Sequence, residues 1–205
     1  MLELIVVLVI GVLVVGLVLP MVNTLREKRN RVVCANNLRQ IGGALFVYAS
    51  DHQQHLPTFC YNAGNSTWDW ALLEQHSLSA LTLWCPSDRW PRPSGQMPRT
   101  YALSGGRQMV HNFFWIQGSR ITCAAISNRA TVVLVGERAP RELLGVVGST
   151  FSVGCDKTDL CSVHAPDKRS NYLFFDGHVA WVELVTEALL DAMFPVNPDG
   201  LVPCP

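Results

Sequence analysis

Apolar and polar positions divide the first fifty residues of the chain into two parts. From Leu4 to Val22 there are 19 residues without a charged side chain, and most of them are Leu or Val. About 20 apolar residues in a helix cross the core of a bilayer, so this run predicts a helix buried in lipid or against copies of itself. Glu3 lies at the N-terminal edge of the run. Four basic residues follow the run: Arg26, Lys28, Arg29 and Arg31.

The pattern then becomes amphipathic without a break. Apolar residues recur at spacings of four and three, which is one stripe of a helix: Cys34, Leu38, Ile41, Leu45 and Tyr48. Several polar residues are expected off that stripe: Arg26, Arg29, Asn30, Asn37 and Arg39. We therefore predict one nearly continuous helix of roughly 50 residues, about 75 Å long. Its apolar part is residues 1–25 and its amphipathic continuation is residues 26–53.

Two features inside this helix carry separate expectations. Pro20 lacks the backbone N–H, which predicts a kink or a melted turn. Gly42 and Gly43 have low helix propensity, and we expect them to mark tight packing against a globular domain.

Residues 54–205 are expected to form one globular head domain. The pattern predicts short helices at residues 68–75 and 186–194, a strand at Leu81–Cys85, and an irregular tail. Further strand-like runs are Thr100–Leu103, Asn112–Ile116, Thr131–Val135 and Thr150–Val153. Asp176 and Gly177 lie between two β-rich runs and predict a tight hairpin, since both central residues tolerate positive φ. The predicted fold class is α+β, with the long helix laid on a small antiparallel sheet.

Charge and cysteine content narrow the classes of function and compartment. Sixteen basic residues balance sixteen acidic ones, which argues against a nucleic-acid-binding protein. The spacing of the seven cysteines matches no paired zinc motif. With the N-terminal apolar helix, they favour an extracytoplasmic domain with disulfides, the alternative being buried reduced cysteines in a cytosolic protein.

Disulfide pairing remains open at the level of sequence. Cys155 and Cys161 enclose a short loop and are the first pair expected. A second bridge is expected within a set of three: Cys34, Cys60 and Cys85. Cys204 is placed to fix the tail. With Cys123 the total is odd, so at least one thiol is free or paired between chains.

The N-terminal run differs from a cleaved signal peptide. No Lys or Arg precedes it, and no small-residue cleavage site follows it. We therefore expect the segment to be retained.

No catalytic motif is present in the sequence. There is no P-loop, no GxGxxG, no HExxH and no nucleophile elbow. Asp176, Gly177 and His178 are explained by a hairpin turn better than by a metal or catalytic site. Asp156 and Asp159 are candidates for calcium, but a solvated loop explains them better because the dense oxygen spacing of a calcium loop is missing. We therefore expect no enzyme activity and no cofactor.

The N-terminus resembles that of the type IV pilin and pseudopilin superfamily. Leu2 to Val7 fits the middle of that family's usual start, with Met1 where an apolar residue would stand. The start is two residues short, so either the chain begins inside the mature helix or its start differs from the family's. In such proteins a leader is removed by a prepilin peptidase and the first residue is N-methylated.

The rest of the chain resembles one pilin-like group, whose domain ends in a histidine, a spacer and an Asp-Gly. The spacer between His164 and Asp176 is eleven residues, two longer than usual in that group. The other matching segments are residues 26–28, 34–42, 48–51, 56–57, 84–88, 101–102, 131–137 and 171–179.

This resemblance implies a structural subunit of an extracellular type IV pilus-like filament. Its expected partners are copies of itself, the membrane before assembly, the prepilin peptidase and the pilus or secretion machinery, with no nucleic acid. The expected location is the inner membrane and then an extracellular or periplasmic filament. Glu3, Pro20 and Met1 are the expected assembly residues, and the family role of the glutamate is to neutralise a neighbouring subunit's terminal amine. The alternatives are a type II secretion pseudopilin and a single-anchor extracytoplasmic binding or enzymatic domain.

Overall fold

The computed structural model describes residues 2–57, 68–75, 78–89, 99–104, 119–121, 126, 128–137, 152–153, 164, 169–183 and 201–203. Its helices are α1 Leu2–Asp51, α2 Trp68–Gln75 and the 3-10 helix Ala80–Leu83. Its strands are β1 Tyr101–Ser104, β2 Ser119–Ile121, β3 Val133–Glu137, β4 Ser152–Val153, β5 Arg169–Phe174, β6 Val179–Glu183 and β7 Leu201–Pro203.

Helix α1 is a single element of 50 residues and joins the two predicted parts. It stays helical through Pro20, so the melted turn expected there does not form. A proline removes only one intrahelical bond, and the turns on either side continue the helix. After Asp51 the chain leaves the helix through left-handed residues Gln53 and Gln54, and the Gln54 amide donates to the Ala49 carbonyl.

The second half of α1 supplies one wall of the core. Four residues of the predicted stripe have no exposed surface: Cys34, Leu38, Ile41 and Leu45. Tyr48 is only partly buried, and Ala49 is buried instead. The expectation that Asn30 and Asn37 lie away from this face is wrong, because both are buried. They can lie there because each amide has a hydrogen-bond partner.

Only the first of the two adjacent glycines marks a close approach. A Cβ built on Gly42 would lie 2.9 Å from one methyl of Leu173 and 3.1 Å from the other. A Cβ on Gly43 would meet nothing within 4 Å. Gly42 therefore lets α1 settle onto β5, whereas Gly43 has no such role.

Among the described residues, the main sheet has five strands in the order β4-β1-β3-β5-β6. Strands β1, β3, β5 and β6 are antiparallel neighbours, which agrees with the expected α+β class. Strand β4 pairs with β1 in parallel, so the sheet is mixed and the expectation of a purely antiparallel sheet is wrong. A parallel neighbour requires a long crossover, and the 47 residues between β1 and β4 allow one.

Two predicted local structures differ from those observed. The strand expected at Leu81–Cys85 is replaced by the 3-10 helix Ala80–Leu83, because the Ser79 hydroxyl caps its start by accepting from the Leu81 amide. The tail is not wholly irregular, because β7 pairs antiparallel with β2. The strand expected at Asn112–Ile116 and the helix expected at 186–194 lie outside the described residues.

The β5–β6 hairpin forms where the Asp-Gly pair predicts it. Phe174 and His178 are bonded through backbone atoms, and the Gly177 amide donates to the Phe174 carbonyl. Of the two turn residues only Gly177 has a positive φ, at 92°. The turn is therefore a three-residue loop closed by a left-handed glycine, not the two-residue turn with two positive φ angles.

A disulfide joins α1 to the chain that follows the 3-10 helix. It links Cys34 to Cys85, two members of the predicted set of three, at a sequence separation of 51. Closing a loop of that length stabilises the fold by about 4 kcal/mol in the chain-entropy account. The other cysteines lie outside the described residues.

Candidate functional site

Three titratable side chains from distant parts of the chain meet beside the disulfide. The ring of His164 lies between two carboxylates, with Nδ1 2.5 Å from Glu27 Oε1 and Nε2 3.2 Å from Glu137 Oε1. His164 and Glu137 have no exposed surface, and the side chain of Glu27 is 24% exposed. We call these three residues the Glu27–His164–Glu137 cluster.

The secondary structure explains how two of the three reach this position. Counting back along the α1 stripe from Cys34 by three and then four residues reaches Arg31 and Glu27, so Glu27 extends the buried face by two turns. Glu137 ends β3, a strand that is buried along its whole length. Its carboxylate therefore enters the core beside apolar residues.

Further polar groups satisfy the carboxylates. The Ser87 hydroxyl lies 2.9 Å from both oxygens of Glu27 and accepts from the Asn30 amide at 3.1 Å. The Asn171 backbone N–H donates to Glu137 Oε2 at 3.1 Å, and its side-chain amide donates to Oε1 at 2.9 Å. Buried carboxylates are tolerated only with such partners, so the network is part of what holds α1 to the sheet.

The disulfide borders the same ring. Cys85 Sγ lies 3.6 Å from His164 Nε2, and the Cys85 amide donates to Thr100 Oγ1 at 3.0 Å. The ring also meets the edge of Trp181, over which the Arg31 guanidinium stacks at 4.0 Å. Sulfur, imidazole and carboxylate atoms therefore lie together in one buried space.

The surroundings shift two pKa values. Burial alone would lower the pKa of His164, but hydrogen bonds and charge from Glu137 and Glu27 outweigh it and raise that pKa. Burial, followed by the charge of Glu137, raises the pKa of Tyr101 far above its usual range. These shifts favour the charged imidazolium of His164 between the two glutamates and the neutral phenol of Tyr101.

The geometry of the cluster suits a structural link between α1 and β3 better than an acid–base catalyst. Both ring nitrogens already face carboxylates, and Ser87 donates to Glu27 instead of His164. A groove of 660 Å³ runs along α1 past Glu27 and is bordered by cationic side chains: Arg26, Lys28, Arg29, Arg31 and Arg89. Glu27 and His164 both line this groove, and of the two only Glu27 has exposed side-chain surface.

The residues singled out from the sequence lie elsewhere. Glu3 is exposed near the start of α1, and Asp176 and Gly177 form the hairpin turn. His178 pairs with Asp176 inside that turn and stacks on Phe174. Met1, the calcium candidates Asp156 and Asp159, and five cysteines lie outside the described residues: Cys60, Cys123, Cys155, Cys161 and Cys204.

Sequence reasoning missed the Glu27–His164–Glu137 cluster. Two local signals pointed to it: Glu27 continues the 4,3 spacing of the stripe, and Glu137 directly continues an apolar strand. No local signal links either residue to His164, which is 137 residues from Glu27.

The second functional surface is the first half of α1. Its large apolar side chains described between Leu4 and Met21 are 49% to 76% exposed. The helix is long and apolar enough to cross a membrane. In its most apolar stretch of 18 residues, none of the residues is buried. Such a surface requires lipid or other protein around it.

Comparisons of the chain with protein-family models, with curated proteins and with solved structures returned no match.

Proposed function

We propose that this protein is the structural subunit of an extracellular type IV pilus-like filament, with a pilin-type fold and a core formed by its N-terminal helices. The observation that carries the proposal is the asymmetry of α1. The large apolar side chains described between Leu4 and Met21 are exposed, while the second half of the helix, from Asn30 onward, is one wall of the core.

Continuity of α1 distinguishes this proposal from a simple anchor. An anchor needs only a span and a linker, whereas here the apolar half and the docked half belong to one unbroken helix. The head domain is therefore held at a fixed position relative to the apolar first half of α1, which we call the rod. Packing such helices side by side keeps their apolar surface out of water once they leave the membrane, and exposing it to water instead would cost about 25 cal/mol per Å².

Glu3 supports the same proposal. A carboxylate inside an apolar bundle requires a cationic partner or a proton. An exposed Glu at the start of an apolar helix therefore suits a contact with a terminal amine of a neighbouring copy better than it suits burial in lipid. In this proposal the helix is first held in the membrane and later packed against its copies.

The test is electron microscopy of the full chain expressed with its assembly machinery. We expect filaments with the N-terminal helices in a central bundle. Glu3→Ala should reach the membrane in normal amount yet give few filaments, whereas Glu74→Ala, which removes an exposed charge from α2 in the head, should assemble normally. Normal filament yield from Glu3→Ala, or detergent-soluble monomers from the unaltered chain, would reject the proposal.

One observation favours the alternative of a membrane-anchored binding or enzymatic domain, namely the convergence of Glu27, Glu137 and His164. We assign the cluster a structural role because both ring nitrogens of His164 face carboxylates and because His164 and Glu137 are fully buried. A hydrolase assay on the detergent-solubilised chain checks this: activity that disappears in His164→Gln but persists in His178→Gln would favour the alternative.

A further inference from the structure

We propose that the reduced protein binds one zinc ion through Cys34, Cys85, Glu137 and His164. The two cysteines then link α1 to the chain after the 3-10 helix in either of two ways, by a disulfide bond or through a shared metal ion. The inference concerns the head domain and does not depend on filament assembly.

The donor set is that of a structural zinc site. One ligand atom from each of the four residues lies within 4.8 Å of the others, and all four residues are fully buried. Thiolate, imidazole and carboxylate are the ligands of Zn²⁺, and tetrahedral bonds of 2.0–2.3 Å place neighbouring donors about 3.3–3.8 Å apart. Shifts of about 1 Å would bring the longest of these separations into that range, and breaking the disulfide lets the two sulfurs move apart.

The surrounding hydrogen bonds orient the donors toward one point. Glu27 occupies His164 Nδ1, which leaves Nε2 facing Glu137 Oε1 and Cys85 Sγ. A carboxylate on the far nitrogen of a ligating histidine is the usual supporting contact in zinc proteins. The Asn171 backbone N–H holds Glu137 Oε2 and its side-chain amide holds Oε1, so that Oε1 is fixed on the side of the ring. Glu27 is thus a positioning residue.

A phosphine reductant converts the disulfide form into the dithiol form that binds zinc, and the reaction is balanced. The phosphine breaks the S–S bond and takes oxygen from water to become a phosphine oxide, and both sulfurs become thiols. Zn²⁺ is not itself reduced. It accepts electron pairs from both sulfurs, Nε2 and the carboxylate, and the two thiol protons, with any proton on Nε2, pass to solvent.

The experiment titrates the full chain in detergent with Co²⁺ as a spectroscopic substitute for zinc, with and without prior reduction by a phosphine. We expect about one Co²⁺ per reduced chain, with thiolate-to-cobalt charge transfer and the visible bands of tetrahedral cobalt, and none in the oxidised chain. Cys34→Ser/Cys85→Ser and His164→Ala should abolish the signal, whereas Cys155→Ser/Cys161→Ser and His178→Ala should keep it. Absence of the signal from the reduced wild type, or its persistence in Cys34→Ser/Cys85→Ser, overturns the proposal.

A measurement on the wild type covers the case in which a variant does not fold. Zinc should protect Cys34 and Cys85 of the reduced chain from alkylation, as located by mass spectrometry, and protection confined to other cysteines would overturn the proposal. Glu27→Gln should keep the stoichiometry and the spectrum while weakening Co²⁺ affinity about 10–100-fold. Unchanged affinity in Glu27→Gln would reject its positioning role.

Discussion

His164 is the residue on which the interior contacts converge. Its ring touches a carboxylate from α1, a carboxylate from β3 and the disulfide sulfur, and it has no contact with solvent. The titratable groups that act on the ring are Glu137 and Glu27, and both favour its charged form. The protonation state of one side chain is thereby tied to the docking of the long helix.

The oxidised protein should lose stability as the pH rises through the raised pKa of His164. The folded pKa of His164 is raised above its ordinary value of 6.5, so its contribution is complete below about pH 6.5 and is lost as the pH rises through the folded pKa. Denaturant unfolding at a series of pH values, with a chelator present, measures this. His164→Gln should lack that component and His178→Gln should keep it; equal pH profiles for wild type and His164→Gln would contradict the prediction.

Removing the buried carboxylate of the cluster should be costly. Glu137→Ala leaves a buried imidazolium and two donors of Asn171 without their acceptor, so we expect a loss of about 3–5 kcal/mol in the free energy of unfolding. Glu183→Ala is the matched control, because its pair with Arg169 spans 3.5 Å and is largely exposed. It should cost less than about 1 kcal/mol. Similar losses in both variants would contradict this account of the cluster.

At the scale of elements, the fold depends on how α1 meets β5. The stripe of Cys34, Leu38, Ile41 and Leu45 supplies the apolar contact, and Gly42 sets the distance of closest approach. Polar contacts continue the same face toward the N-terminus through Asn30 and Glu27. The same face of α1 thus changes from apolar to polar toward the exposed first half of the helix.

Two adjacent glycines on this helix should respond oppositely to the same substitution. Gly42→Ala should lower the free energy of unfolding by about 1 kcal/mol, because crowding against both methyls of the fully buried Leu173 exceeds the gain in helix propensity. Gly43→Ala meets open space and should raise it by about 0.5–1 kcal/mol. Chemical denaturation of the two variants checks the sign, and stabilisation by both would show that the helix can move away from β5.

The left-handed glycine of the hairpin allows a second test at this scale. Gly177 has a φ of 92°, which a side chain adopts only with strain. Gly177→Ala should therefore destabilise the fold by about 1–2 kcal/mol, whereas Ala130→Gly at an exposed turn position should change it little. Thermal unfolding distinguishes them, and an unaffected Gly177→Ala would contradict the turn geometry.

In the part of the molecule that the structure describes, the sheet packs against the second half of α1, and the large apolar side chains of its first half are exposed. The apolar surface of that half, the disulfide and the span length agree with a membrane-anchored protein in an oxidising compartment. Since the described core begins at Asn30, the head should not need the rod to fold.

Deleting residues 1–25 should give a head that is soluble without detergent. We expect its unfolding midpoint to stay within about 2 °C of that of the full chain, because the deleted residues bury nothing in the core described here. Calorimetry of both forms measures this, with a deletion through residue 33 as a control that removes Glu27 and Asn30 and should lower the midpoint. A marked loss of stability in the shorter deletion would show that the rod supports the head.

Local patterns alone determined the long helix, its buried stripe, helix α2 and the site of the hairpin. Helical periodicity and the conformational freedom of Gly177 depend on residues close in sequence, so they can be read without a fold. The partner of Cys34, the parallel pairing of β4 and the meeting of Glu27, Glu137 and His164 were decided only by tertiary structure. Each joins segments that are dozens of residues apart, and the desolvation that makes the cluster distinctive exists only after the helix has packed onto the sheet.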